Sequence, residues 1–357
     1  MQKEKSVSEY PIGQSNSQYT NPTNQQRIEF IDLAKGICIL LVVIFHIFGS
    51  TGAITGKYIG ITNIFRMPLY FVLSGLFFKT YGGIVPFFKK KTNKLLIPFI
   101  CSYVFVVLPV SYLLQRNIGG GDFMFFIEKG RLNLGINGSS WFLPCLFIVN
   151  MYFYLMFLLC RNHIWWIAVG TCVCGIVGYS LNLYGFYLPV WMDTSLTVMP
   201  FFLMGYAMRK YSNVLYGHFT KKSLWCLLAS LAVLLLVYYT NESMQRGVIV
   251  FIENNFDVGL LSVYLGGFAG TCCVLMIAKF FKRLPVLSYI GRFSIVVLLT
   301  HPIYMFILRE VFGLMKIEQS SYTNIATFVV IVALALPTIK FCIKFLPYCF
   351  AQKDLWK

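Results

Sequence analysis

Ten runs of mostly apolar residues dominate the chain, at 30–50, 61–80, 95–115, 140–160, 163–181, 186–208, 222–240, 258–281, 287–308 and 323–347. Each approaches the roughly 20 residues that a helix needs to cross a bilayer. Inside lipid every backbone N–H and C=O must be satisfied internally, which leaves helices or closed barrels, and runs of this length select helices. The expected fold is an all-α integral membrane bundle of about ten transmembrane helices. The sixth run is the least regular, because Pro189, Asp193 and Pro200 fall within it, and it is expected to be a broken helix lining a cavity.

Thirty Lys and Arg stand against thirteen Asp and Glu in 357 residues, a net charge of +17. In a soluble chain this would suggest nucleic acid. Here 58% of residues are hydrophobic and 12% charged, so basic loops on one membrane face account for the excess, and nucleic acid is excluded as a partner. With the N-terminus inside, twenty of the thirty basic residues fall in inner segments and seven in outer ones. Both termini are therefore expected to be cytoplasmic. The polar residues 1–26 read as a disordered cytoplasmic tail, 27–350 as the transmembrane domain and 351–357 as a second tail. Most of the eleven cysteines lie in apolar runs, where they behave as small hydrophobes, and no spacing suits a metal. The glycine-rich stretch 117–140, ending in Ser139 and Ser140 before Trp141, reads as a loop capping the fourth span.

Three of the thirty basic residues remain, Lys35, Arg66 and Arg292, each inside a span, and Asp32, Asp193, His46 and His301 join them. An ionisable group at membrane depth is costly and marks a functional site by default. Lys35 and His46 are 11 residues apart, which brings them to within about 20° on one helix face with a rise of about 16 Å. His301 lies about 20 Å along its span from Ser288, a depth similar to that of His46. Sorting by depth gives two groups. Arg66, Trp141, Asp193, His46 and His301 fall in the outer half, while Arg27, Lys35, Arg292 and the run FFKKKTNK lie toward the cytoplasm. Each group has a structural alternative: an i,i+3 ion pair between Asp32 and Lys35, an interfacial anchor at Arg66, and a small-residue packing notch at Ser74 and Gly75.

The stretch RIEFIDLAKGICILLVVIFH, with Glu29, Asp32, Lys35, Gly36 and His46, resembles the opening helix of the membrane acyltransferase type 3 family. FRMPLYFVLSG resembles the family's second-span motif, SSWFLPCLF its Trp-Phe-Leu segment and LLTHPIY its late histidine segment; the blocks occur in the family's order over about 27–347. Lys35 stands where the family usually has Arg, and loses the two-bond fork while keeping the charge. Arg66 stands where the fucose O-acetylase-like branch more often has His.

The resemblance implies transfer of an acyl group, usually acetyl from acetyl-CoA, to a hydroxyl of an envelope or capsular carbohydrate or lipid-linked saccharide, at a bacterial inner membrane and without a metal. Mapped onto this chain, His46 is the expected general base, with His301, Asp193 and Arg66 completing the catalytic group. Lys35, Arg292, Arg27, Ser74 and Gly75 would receive the CoA donor, and Trp141, Asp32 and Glu29 the acceptor. Asp32 lies about 21 Å from His46 along one helix, so the expected orienting carboxylate is Asp193. A transporter or flippase of a glycan or acyl species, using His46 and His301 for proton coupling, is the alternative from another class.

Overall fold

The computed structural model describes residues 28–49, 54–113, 126, 128, 130–211, 218–244 and 249–356, with side chains from residue 60 onward in the second helix. The first tail and Arg27 lie outside the described residues. Among the described residues the long and short α-helical elements number twelve: α1 (Glu29–Phe48), α2 (Ile54–Gly75), α3 (Ile84–Tyr112), α4 (Gly135–Leu159), α5 (Ile164–Leu183), α6 (Met192–Thr197), α7 (Met199–Tyr211), α8 (Lys221–Ser243), α9 (Leu260–Phe281), α10 (Pro285–Arg292), α11 (Ser294–Leu314) and α12 (Ser321–Phe345). Eight of them, α1, α3, α4, α5, α8, α9, α11 and α12, are long and apolar enough to cross a membrane. Helix α2 and the α6–α7 pair occupy the other two places expected from the sequence, packed against α1, α5 and α9.

Irregularities fall where the sequence forces them. Pro98 and Pro109 in α3 each lack the N–H that an α-turn needs, and each is preceded by a π-helical turn, Thr92–Leu96 and Tyr103–Val107, which absorbs the mismatch. The sixth span is broken as expected: Val190 and Trp191 hold left-handed backbone angles, φ 52° and 60°, before α6 begins. A β-branched residue rarely tolerates that region. Val190 is fixed there by its N–H donating to the Gly130 carbonyl at 2.7 Å. The ninth span also breaks, at Phe293 (φ −111°, ψ 30°), separating α10 from α11.

Small residues let the central helices touch backbone to backbone. A Cβ added to Gly75 would fall on the Phe202 carbonyl, and one on Gly205 would fall on that of Val72, so α2 and α7 cross at a reciprocal glycine notch. Gly36 and Gly291 join α1 to α10 in the same way.

Contacts define the two ends of the bundle. Glu29, at the start of α1, meets Arg283 just before α10 at 3.3 Å. The segment following α12 returns to this end. Asp354 pairs with Lys90 at 2.7 Å and Lys94 at 3.4 Å, and the Asn93 carboxamide accepts from the Leu355 and Trp356 N–H groups while donating to the Trp356 carbonyl. Residues 351–356 thus fold onto the basic run rather than extending away from it. The Lys90 hydrogen bond holds the Asp354 carboxyl below its ordinary value. At the other end, a two-stranded hairpin, β1 (Ile249–Val250) and β2 (Asn255–Phe256), leans over the bundle.

Candidate active site

His46 sits near the end of α1, half-buried, and His301 sits in α11, fully buried. Their ring centroids are 5.3 Å apart. The two imidazoles that depth arithmetic placed at one level are therefore neighbours. The His301 Nδ1–H donates to the Val297 carbonyl at 2.8 Å, since a carbonyl can only accept; in the neutral ring this tautomer carries its lone pair on Nε2. Among the described residues, Nε2 is buried without a hydrogen-bond partner.

His301 is held by a device that begins with its neighbour. Pro302 has no N–H, so the Leu298 carbonyl four residues earlier loses its helical partner. Ser139 replaces it, its hydroxyl donating to Leu298 O at 3.0 Å, and the Asn137 carboxamide donates to Leu299 O at 3.3 Å. Asn137 is itself tied to Ser102 in α3, and Ser140 donates to the Asn137 carbonyl at 2.8 Å. The serine pair therefore does not cap the fourth span. Ser139 braces the kink beside His301, Ser140 braces Asn137, and the α-helical part of α4 starts at Phe142 without a side-chain cap.

A cavity of about 190 Å³ opens against His46, bounded by Arg66, Tyr70, Ser139, Trp141 and the hairpin residues Ile249–Ile252. The Arg66 guanidinium lies 3.3 Å above the Phe45 ring and bonds the Asn63 carboxamide. Trp141 is buried, with its ring 6.3 Å from that of Trp191. His46, His301, Arg66 and Trp141 are thus gathered in one region.

Asp193 is not with them. It is fully buried, and both of its oxygens are taken by Arg131 in a two-pronged pair at 2.8 and 2.7 Å. In this geometry both Asp193 oxygens serve Arg131, and neither is bonded to His46. Arg131, which lies within the glycine-rich stretch 117–140 ahead of the fourth span, is itself buried and donates further to the Ile252 and Leu188 carbonyls at 3.1 and 3.2 Å. The pair ties the broken sixth span to the hairpin roofing the cavity. The roles of Arg131, Asn137 and Ser139 have no local signature in the sequence; the nearest signal was Pro302, which announces an orphan carbonyl without naming what satisfies it.

In the opposite half, Lys35 stands 4.3 Å over the Phe77 ring and the exposed Arg292 5.1 Å over Phe293. They lie on packed helices but rest on different rings. Asp32 is half-buried and Glu29 exposed, both far along α1 from the cavity. Ser74 is half-buried, and Gly75 is committed to the α2–α7 crossing.

A family model described as an acyltransferase domain matches residues 28–341, a stretch that takes in the cavity, both histidines and the cationic half beneath. The chain belongs to the membrane acyltransferase type 3 family. It is accordingly a multi-pass membrane acyltransferase. No curated protein and no solved structure matches this acyltransferase.

Proposed function

We propose that this acyltransferase moves an acetyl group from acetyl-CoA, supplied on the cytoplasmic side of a bacterial inner membrane, to a hydroxyl of an envelope carbohydrate, with His46 as general base. The observation that carries the reading is the meeting of His46 and His301 beside a cavity that also holds Arg66. In the proposed step the acceptor hydroxyl attacks the thioester carbon while His46 takes its proton. Such assistance contributes about 10²–10⁴ in rate. The oxygen of the tetrahedral intermediate takes the negative charge and faces the Arg66 guanidinium, which is already oriented by Phe45 and Asn63. Collapse breaks the C–S bond, and the departing thiolate receives the proton from His46. His301, with its free Nε2 beside His46, offers that ring an acceptor and orients it.

The cavity volume supports a reaction centre that admits a thioester end and one acceptor hydroxyl. An apolar cavity of about 150 Å³ holds benzene, so the nucleotide part of the donor has to remain outside. The cationic end of the bundle, with Lys35 and Arg292, is its proposed seat, beside Lys90 and Lys94, which pair with Asp354.

The test is acetyl transfer by purified protein in lipid nanodiscs, using acetyl-labelled acetyl-CoA and the isolated envelope glycan. His46→Ala is expected to lower transfer by at least about 10² while expression and thermal stability persist. Full transfer by the variant would remove His46 from the mechanism, and label remaining on CoA in the wild type would overturn acetyl transfer itself.

A further inference from the structure

A second hollow, of about 500 Å³, lies between the hairpin and the last turn of α5. Tyr179 and Asn182 line it from α5, Tyr187 from the segment that follows, and Glu253, Asn255 and Asp257 from the hairpin. The two strands of the hairpin serve different spaces. Val250 in β1 borders the His46 cavity, while its ladder partner Asn255 in β2 borders the hollow, so one strand spacing of about 5 Å divides the two. The hollow is already shaped: the Asn254 carboxamide donates to the Gly178 carbonyl at 2.8 Å and that of Asn182 to the Glu253 carbonyl at 3.2 Å, tying the hairpin to α5 twice.

Two phenol rings, two carboxamides and two carboxylates thus surround a space within the roughly 300–1,000 Å³ range of small-ligand sites. An aromatic ring offers a broad apolar face, which suits the C–H faces of a sugar ring. Carboxylates accept from hydroxyls, and carboxamides both donate and accept, which suits the hydroxyls around its rim. Charge narrows the choice. Among the described residues no Lys or Arg lines the hollow. Arg131, whose guanidinium is 6.0 Å from the Tyr187 ring, is buried and matched by Asp193. Asp257 is engaged elsewhere, so the charge offered to a guest is counted on the exposed Glu253 alone. A glycan rich in uronate or phosphate would bring like charge against that carboxylate with no lining cation to offset it.

We infer that this hollow is a saccharide subsite for a glycan without acidic groups, holding a unit of the acceptor beside the one whose hydroxyl enters the His46 cavity. The assignment rests on the acyl-transfer reading for its purpose, though not for its chemistry. It narrows the acceptor from envelope carbohydrate in general to its uncharged or amino-bearing members.

The whole protein is titrated in lipid nanodiscs, which avoid sugar-headed detergents, with tetramers of glucose, of N-acetylglucosamine and of galacturonate, and binding is read by saturation-transfer NMR. Wild-type protein is expected to bind a neutral tetramer in preference to galacturonate. Tyr179→Ala should weaken the neutral tetramer about two- to tenfold. Glu253→Gln, which keeps the shape without the charge, should narrow the preference over galacturonate by up to about fivefold. Tyr184→Ala, on an exposed ring outside the hollow, should change neither. Should Tyr179→Ala fail to fold, Glu253→Gln decides, because its side chain is exposed. Failure to bind any tetramer, galacturonate bound as tightly as the neutral sugars, or binding indifferent to the variants at Tyr179 and Glu253 overturns the proposal. Thiol release from acetyl-CoA by the wild type, with the isolated envelope glycan present, is measured in parallel. Silence there with variant-sensitive binding overturns acetyl-CoA as donor alone, whereas thiol release with variant-insensitive binding overturns the subsite alone.

Discussion

Removing one member of the Arg131–Asp193 pair separates a structural carboxylate from a catalytic one. Both side chains are nearly inaccessible, at 6% and 0% exposure, and the pair is two-pronged. Deleting one partner of such a pair leaves an uncompensated buried charge, which typically costs 3–5 kcal/mol. Arg131→Met additionally orphans the Ile252 and Leu188 carbonyls that the guanidinium satisfies, at about 1–3 kcal/mol each. Asp193→Leu is therefore expected to destabilise by about 3–5 kcal/mol and Arg131→Met by somewhat more. The double variant should cost less than the sum of the two, since no buried charge remains. Unfolding by sodium dodecyl sulfate in mixed micelles measures all three, and acetyl transfer is followed alongside. Under this reasoning the loss of activity in Asp193→Leu tracks its loss of fold, and the pH profile of the surviving fraction is unchanged. An Asp193→Asn protein with native stability and a displaced pH–rate profile would refute the structural assignment and return Asp193 to the side of His46.

Three further outcomes follow from the packing. Ser139→Ala leaves the Leu298 carbonyl without its donor and should slow acetyl transfer about tenfold or more, with donor KM little changed; Ser139→Thr, which restores a hydroxyl, should recover much of the rate. Gly75→Val drives a side chain into the Phe202 carbonyl and should prevent close approach of α2 and α7, read as loss of monodisperse protein on gel filtration; Gly313→Ala, where a Cβ meets nothing, is the silent control. Because the folded Asp354 carboxyl is held below its ordinary value by Lys90, the clasp of residues 351–356 is fully stabilised above the free Asp value of about 3.9 and lost as pH falls through the lower folded one. Proteolysis after α12 should accordingly rise under strong acid, and at neutral pH in Asp354→Asn. The pair is partly exposed and worth no more than about 1 kcal/mol, so high salt should mimic the variant in part.

The spans were legible because bilayer thickness sets one length and the apolar runs repeat it, and Pro189 and Pro200 betrayed the break in the sixth. The nearness of His46 and His301 was legible for a related reason: the rise per residue of a helix converts position into depth, and two rings at one depth in a small bundle have few places to go. Arg131 was not, because its partner lies 62 residues away and a loop cation with a destination inside the protein has the same local sequence as one in water. The clasp was hidden more deeply, since Lys90 and Asp354 are 264 residues apart and only the turn taken after α12 brings them together. The serine pair at the end of the glycine-rich stretch looked like a helix cap; Ser139 and the unremarked Asn137 instead satisfy carbonyls on another helix, which no local pattern reports.

That brace has a consequence for how the protein can move. Ser139 forms part of the cavity wall, and with Asn137 it belongs to the segment that begins α4, yet their hydrogen bonds end on the backbone beside His301. Wall and imidazole are one mechanical part. A guest that presses on this wall on its way in must also tug the ring, so arrival of a substrate and alignment of the reactive nitrogen are geared together, much as a door handle is geared to its bolt.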